Sequence, residues 1–226
     1  MEVAVTNYGC AILSIMVPDK NGKYANVILG HDSIDHVINS PEPFLSTTIG
    51  RYGNRIAKGK FTLFGEEHEL TINNGPNSLH GGPTGFHARV WDAIQLDEST
   101  VQFNYVSADG EEGFPGNLKV EMTYRLENEV NALTIEYRAT TDKATVVNLT
   151  NHGFFNLAGI STPTPTVNDH IVTIKADSAS CRECSSVCAF KSIQPVACIE
   201  LHAGFGGIHF HDTAAFRVFA SSSQVE

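Results

Sequence analysis

The sequence has no long hydrophobic segment and is short of positive charge. No apolar run approaches the roughly 20 residues of a membrane-spanning helix, and the start, MEVAVTNYGC, lacks the basic region of a secretion signal. We therefore expect a soluble, cytoplasmic chain with no membrane partner. With 15 Lys and Arg against 25 Asp and Glu, the net charge is -10, which would repel nucleic acid. A small neutral ligand fits this charge better than nucleic acid does. The composition does not predict an oligomeric state.

Cysteine is scarce in the body of the chain and clustered near its end. The chain has five cysteines in all. The clustered ones, with the histidine that follows them, are Cys181, Cys184, Cys188, Cys198 and His202. This spacing lacks the second CxxC or the paired histidines of a zinc site, so we expect no metal. A glycine-rich phosphate loop, a nucleophile elbow and an HExxH motif are also missing.

Three segments alternate apolar and polar residues with the period of a β-strand. They are VQFNYV, NLKVEMTYRL and ALTIEYRA, which place Phe103, Met122 and Ile135 among the apolar positions. The connecting stretches ADGEEGFPGN, ENEVN and TTDK are rich in turn-forming residues. The pattern predicts an all-β fold with an antiparallel meander in a sandwich or barrel.

Two shorter segments predict a hairpin and a short helix. KFTLFGEEHELTIN predicts a hairpin in which Phe61–Leu63 pairs with Leu70–Ile72 across Gly65-Glu66. HDSIDHVIN predicts one or two helical turns, capped by Asp32 or Ser33.

The pattern changes near Ser178. The residues that follow show serine clusters and no sustained alternation, so nothing predicts that they extend the sheet. We predict a β-domain over residues 1–177 and an atypical Cys/Ser-rich tail over residues 178–226. An altered reading frame or a splice variant would account for such a tail.

In the stretch GRYGNRIAKGKF, glycines flank the polar residues Arg51, Asn54 and Arg55. Glycines on both sides suit a backbone that turns sharply beside a ligand. The alternative is a surface turn whose arginines bond nearby carbonyls.

A second stretch, NNGPNSLHGGPTGFHARVW, places His80 before Gly-Gly-Pro and ends on Trp91. A histidine at a loop mouth can bond a hydroxyl, while an aromatic ring supports the apolar face of a sugar. Alternatively, His80 caps a turn and Trp91 belongs to the core. We expect His87 at the surface.

The third stretch, NLTNHGFFNLAG, places His152 at the end of a strand and before Gly153. Phe154 and Phe155 would give this histidine an apolar wall, which suits an acid or base. The alternative is a structural histidine bonded to a carbonyl.

Taken in order, these three stretches and NYGCAILSIMVPDKNGKYANVILGHDS resemble the aldose 1-epimerases, also called galactose mutarotases. The resemblance runs from about Val3 to Asp177. It implies an all-β supersandwich of antiparallel sheets, here incomplete. It also implies interconversion of the α and β anomers of a free aldose, galactose or glucose, without cofactor or metal.

The resemblance implies roles for five residues. His152 is the acid that protonates the ring oxygen, and His80 contacts the sugar and supports the developing charge. Asn54 and Arg55 bind hydroxyls, and Gly153 leaves room for the sugar ring.

The family's glutamate base and a sugar-binding aspartate have no match after Asp177. Glu183 and Glu200 lie in segments unlike the glutamate motif. We therefore expect impaired catalysis, and the alternative is a catalytically inactive sugar-binding or regulatory module. Hexose-6-phosphate epimerases share this fold but need additional positively charged residues to bind the phosphate. Arg51 and Arg55 alone do not indicate such a phosphate site.

Overall fold

The fold is built almost entirely from strands. The computed structural model describes residues 1–127, 129–161, 166–168 and 170, together with the backbone of residues 179–180, 187–188 and 214–219. Within these described residues, one five-residue helix and three short 3₁₀ turns interrupt the strands. This confirms the all-β expectation. Within the described part of the chain, no helix is long and apolar enough to cross a membrane.

The elements are numbered in the order in which they follow one another along the chain. In order they are β1 Glu2–Val5, β2 Ile12–Pro18, β3 Tyr24–Asn26, α1 Ile34–Ile38, β4 Thr48–Ile49, β5 Arg55–Ile56, β6 Lys60–Leu63, β7 Glu66–Glu69, β8 Ser78–Leu79, β9 Asp92–Asp97, β10 Thr100–Ser107, β11 Leu118–Glu127, β12 Ala132–Thr141, β13 Thr150–Asn151, β14 Ala179–Ser180, β15 Val187–Cys188 and β16 Ala214–Phe219. The 3₁₀ turns are Ala57–Gly59, Phe86–Ala88 and Glu111–Gly113.

The largest sheet is the expected meander, with β9, β10, β11 and β12 as antiparallel neighbours. Strands β11 and β12 pair without a break from Leu118 opposite Thr141 to Glu127 opposite Ala132. Most apolar positions of the three alternating segments are buried, among them Phe103, Met122 and Ile135, whereas Val101 and Tyr105 are partly buried and Val106 is exposed. The period-two pattern therefore identified both the strands and their core face.

The tail contributes a strand that its sequence did not predict. Strand β16 runs antiparallel to β12, with Ala214 opposite Tyr137 and Phe219 opposite Ala132. Without it β12 would present a row of unpaired backbone groups. Ladder hydrogen bonds join backbone to backbone, so a segment needs no apolar alternation to form them.

The core lies between the meander and the sheet made of β1, β2 and β3. One buried cluster joins Ile12 and Ile15 of β2 to Trp91, Phe103 and Met122. The Tyr124 hydroxyl crosses this interior and donates to the Cys10 carbonyl at 2.8 Å. The two layers thus form the sandwich expected from the sequence.

The hairpin and the helix were predicted in the right places but differ in detail. The strand returning from β6 is β7, with Leu63 opposite Glu66, so the predicted pairing with Leu70–Ile72 is wrong. The turn consists of Phe64 and Gly65 at φ 50° and 87°, and a two-residue turn of this kind brings the next residues back at once. For α1, Ser33 is the cap, accepting from the His36 N–H at 3.3 Å.

Candidate active site

His152 lies at the end of a short ladder, as the sequence predicted. Strand β13 pairs with β4, with Asn151 opposite Thr48. Beyond the ladder the His152 N–H donates to the Thr47 carbonyl at 2.9 Å, and the His152 carbonyl accepts from the Ser46 N–H at 3.0 Å. The backbone of His152 is therefore held on both sides.

His80 ends a second ladder, in which β5 pairs with β8 and Arg55 lies opposite Leu79. The His80 N–H donates to the Asn54 carbonyl at 3.0 Å. In return the Asn54 N–H donates to His80 Nδ1 at 2.9 Å. Because Nδ1 is the acceptor, the proton of the neutral ring lies on Nε2.

The two glycines after His80 are explained by the backbone. His80, Gly81 and Gly82 have successive φ values of 54°, 85° and 96°, the left-handed region that favours glycine. A Cβ on Gly81 would lie 1.8 Å from the Gly50 carbonyl oxygen. The HGG motif therefore forms a tight turn that fixes the direction of the His80 ring.

The two histidine rings meet edge to face. Their centroids are 5.0 Å apart at an interplanar angle of 85°. Phe154 stacks on His152 with a centroid distance of 5.0 Å, which confirms the apolar wall for this phenylalanine. Phe155 packs against the core instead. Its ring takes the space beside Gly153, where a Cβ would lie 2.5 Å from Phe155 Cε2, so this glycine makes room for Phe155.

Phe44 belongs to the site, although sequence reasoning missed it. Its ring centroid lies 4.8 Å from that of His80, 4.6 Å from that of His87 and 6.2 Å from that of His152. The residue follows the exposed Pro41-Glu42-Pro43 segment. Nothing in that local pattern distinguishes it from an ordinary loop residue.

His87 is buried, and its expected surface position is wrong. It is 3% exposed, because the 3₁₀ turn Phe86–Ala88 places it beneath Phe44. Trp91 is 1% exposed and donates to the Phe86 carbonyl at 3.3 Å. The core alternative therefore holds for Trp91, which offers no face to a ligand.

Burial keeps two histidines of the site neutral. It lowers the pKa of His80 to about 4, and the neighbouring His152 and His87 contribute in the same direction. Burial likewise lowers the pKa of His87 to about 4, against the opposing effects of the Pro83 carbonyl and Glu112. Both rings are uncharged near neutral pH. Across the described residues, no ion pair joins a carboxylate to His80 or His152.

Asn54 and Arg55 form a polar rim beside His80. Asn54 is exposed in a left-handed backbone conformation, φ 65°. Arg55 donates through Nη1 to Asn54 Oδ1 at 3.3 Å and through Nε to Asn74 Oδ1 at 2.8 Å. Asn54, Arg55, His80 and His152, the four residues singled out from the sequence, thus form one continuous cluster.

Arg51 bonds backbone carbonyls, as the alternative interpretation of its stretch predicted, but it does so in the interior and not in a surface turn. It is 1% exposed, so it is no surface residue and cannot meet a ligand phosphate. Nε donates to Ser107 Oγ at 2.8 Å. The terminal nitrogens donate to the carbonyls of Ser107, Ala108, Pro115 and Gly116 at 2.8–3.0 Å. Arg51 fastens the loop between β10 and β11.

The expectation of no metal stays a prediction. Within the described part of the chain, no three His, Cys, Asp or Glu residues form a group that could hold a metal ion. The residues from the tail that sequence analysis weighed lie outside the described residues: Cys181, Glu183, Cys184, Cys198, Glu200 and His202. For Cys188 only the backbone, in β15, is described.

The fold is shared with solved structures of galactose mutarotase type. A GalM/aldose epimerase homologue from C. elegans matches with a TM-score of 0.64 and 33% identity, over 68% of this chain and 47% of that chain. A galactose 1-epimerase from Lactobacillus acidophilus NCFM matches with a TM-score of 0.60 and 34% identity, over 68% and 45%. This β-sandwich class agrees with the supersandwich that the motifs implied.

The family follows from the sequence comparisons. The family model for aldose 1-epimerase matches residues 1–194, so it extends beyond Asp177, where the motifs end. The chain belongs to the aldose 1-epimerase family.

Individual relatives cover the same part of the chain. A galactose mutarotase of Bos taurus is 46% identical over 177 residues, 78% of this chain and 50% of the relative. An aldose 1-epimerase of Escherichia coli (strain K12) is 40% identical with the same coverage. The chain therefore spans about half the length of the curated relatives it matches.

Proposed function

We propose that this chain binds a free hexose, galactose or glucose, and interconverts its α and β anomers without cofactor or metal. The observation that carries the proposal is the His80–His152 pair, with ring centroids 5.0 Å apart, in a chain of this family. Such a substrate also fits a cytoplasmic protein with no nucleic-acid or membrane partner, as the charge of -10 suggested.

In the proposed reaction His152 is the acid and protonates the ring oxygen of the sugar. The bond between this oxygen and C1 breaks as a base removes the proton of the anomeric hydroxyl, which leaves an open-chain aldehyde. Rotation about C1–C2 and the reverse proton transfers close the other anomer. His80, neutral with its proton on Nε2, donates a hydrogen bond to oxygen where charge develops.

Asn54 and Arg55 orient the sugar through its hydroxyls. Arg55 uses two of its nitrogens to reach amide oxygens, and among the described residues it has no carboxylate partner. Its remaining N–H groups are therefore available to ligand oxygens. Arg55→Ala should weaken galactose binding measured by calorimetry, whereas Lys119→Ala, an exposed residue of β11 outside the cluster, should leave it unchanged.

We infer that the general base is missing and that the chain is a slow enzyme, because the sequence after Asp177 has no match to the family's glutamate motif. Loss of a general base reduces a rate by about 10²–10⁴-fold. A small carboxylate added to the solution can take over this role. Rising acetate should accelerate α-galactose mutarotation by the wild-type chain more than by His152→Ala, after subtraction of the protein-free rate. Equal acetate responses in both proteins would overturn this inference.

The second candidate function is sugar binding without catalysis, which the same lack of a match to the glutamate motif favours. Calorimetry with galactose and glucose separates the candidates when combined with rate measurements. Binding without any rate effect, even in acetate, supports the binding module. Failure to bind either sugar at millimolar concentration contradicts both functions.

A further inference from the structure

Phe44 is the residue on which the histidine rings of the candidate site converge. Its ring meets those of His80 and His87 edge to face, at interplanar angles of 68° and 62°. It lies tilted by 30° relative to the ring of His152. Edge-to-face aromatic contacts are directional, so one ring that touches several others constrains their relative orientation.

The backbone of Phe44 is anchored to the ladder that carries His152. Its carbonyl accepts from the Thr47 N–H at 3.3 Å and from Thr47 Oγ1 at 3.1 Å. The Thr47 carbonyl in turn accepts from the His152 N–H at 2.9 Å. Thr47 is 2% exposed. Phe44 and His152 are therefore fixed to the same buried residue, although Phe44 follows an exposed loop.

His80 is held by the other ladder, through both of its hydrogen bonds with Asn54. The Phe44 ring therefore lies between two separately anchored segments. Its backbone is bonded to Thr47, which also holds His152, and its ring contacts that of His80. A change in this ring would alter the distance and angle between the two histidines without removing a hydrogen bond from either.

We propose that Phe44 is the positioning residue that sets the separation and near-perpendicular orientation of His80 and His152. The two rings must reach different oxygens of one small sugar, so their relative placement decides whether both engage it. A misplacement of about 1 Å can reduce a rate about 10²-fold. The catalytic consequence rests on the proposed function, but the positioning role itself is testable without any sugar.

The sugar-free test uses NMR on the ¹⁵N-labelled 226-residue chain. In the wild type, nuclear Overhauser contacts should join the Phe44 ring to the rings of His80 and His87, and His80 should show one tautomer with its proton on Nε2. Phe44→Leu should shift the His80 and His152 ring signals. It should also raise the titration midpoint of His80 from about 4 by about one pH unit, because the ring shields this imidazole from water.

Two matched variants complete the test. Phe44→Tyr keeps the ring and should restore the wild-type signals of His80. Phe61→Leu removes another Phe–His contact, the stacking on His68 at 5.0 Å, and should leave the site histidines unchanged. Wild-type-like His80 and His152 signals in Phe44→Leu would overturn the proposal. If Phe44→Leu fails to fold, absence of the Overhauser contacts in the wild type would overturn it equally.

A rate measurement links positioning to function. If the wild type accelerates mutarotation, Phe44→Leu should reduce kcat about 10²-fold with a smaller change in KM, and Phe44→Tyr should recover most of the loss. A wild type that shows the NMR signature but no acceleration contradicts the proposed function and leaves the positioning role supported. An active wild type with unchanged kcat in Phe44→Leu contradicts the positioning role.

Discussion

At the scale of single residues, several residues other than glycine adopt the left-handed backbone conformation. Phe64, at the tip of the β6–β7 hairpin, has φ 50° and is 87% exposed. Asn54 and His80 also lie in the left-handed region. At the two site residues this geometry forms the hydrogen bonds between them, whereas at Phe64 it has no packing to offset its cost.

Phe64→Asn should therefore stabilise the protein. Asparagine tolerates the left-handed region, and Asn-Gly is the preferred sequence for a two-residue hairpin turn. We expect the free energy of unfolding to rise by about 0.5–1 kcal/mol, measured by urea denaturation. Phe64→Leu is the control, since it keeps the unfavourable backbone and should give no gain. A stability loss in Phe64→Asn would show that the exposed ring has a contact of its own.

The neutral histidines predict a specific loss of stability in mild acid. The folded pKa of His87 is about 4, below the ordinary value of 6.5, so the unfolded chain binds more protons between these values. Stability is then complete above about pH 6.5 and falls as the pH drops toward 4. The surrounding charges, Glu112 and Arg89, do not remove this difference.

The measurement is the free energy of unfolding at pH 7 and at pH 4.5. A tenfold difference in proton affinity between the folded and unfolded chain corresponds to about 1.4 kcal/mol, so His87 alone should account for a loss of about 2 kcal/mol. His87→Gln should lower stability at both pH values but flatten the difference between them. The carboxyl groups whose pKa is lowered, such as Asp109, titrate below this window. An equal pH dependence in His87→Gln would contradict the account.

At the scale of elements, the sequence determined the meander well and the site less well. Alternation in β10, β11 and β12 indicated both strand and buried face, because period two reports directly on burial. The register of the β6–β7 hairpin was missed because turn geometry, not hydrophobicity, sets it. Strand β16 was missed because the residues after Ser178 show no sustained alternation.

Arg51 connects two elements, and its substitution tests that link. The guanidinium of Arg51 reaches Ser107 Oγ and four carbonyls of the β10–β11 loop, a planar array that a lysine cannot reproduce. Arg51→Lys should lower the free energy of unfolding by about 3 kcal/mol. In contrast, Arg125→Lys should change it by about 0.5 kcal/mol or less, since Arg125 forms an exposed pair with Glu136. Similar effects for the two substitutions would contradict the fastening role of Arg51.

At the scale of the whole molecule, the candidate site forms where separate segments of the sandwich meet. The motifs identified His80 and His152 because glycine and phenylalanine accompany them in sequence. No local pattern could identify Phe44 or the burial of His87, because their roles depend on contacts between segments far apart in the chain. The division of the chain at Asp177 likewise stays a prediction, while the family match reaches residue 194.

The measurement that tests the central claim most directly is polarimetry of freshly dissolved α-galactose with the purified 226-residue chain. We predict mutarotation faster than the spontaneous rate, a return to the spontaneous rate in His152→Ala, and an unchanged rate in His68→Ala, whose histidine lies on β7 outside the site. The expected reduction for His152→Ala is about 10²-fold or more where the range of the assay allows. A folded wild-type chain that leaves the rate unchanged, or a His152→Ala chain as fast as the wild type, would contradict the account.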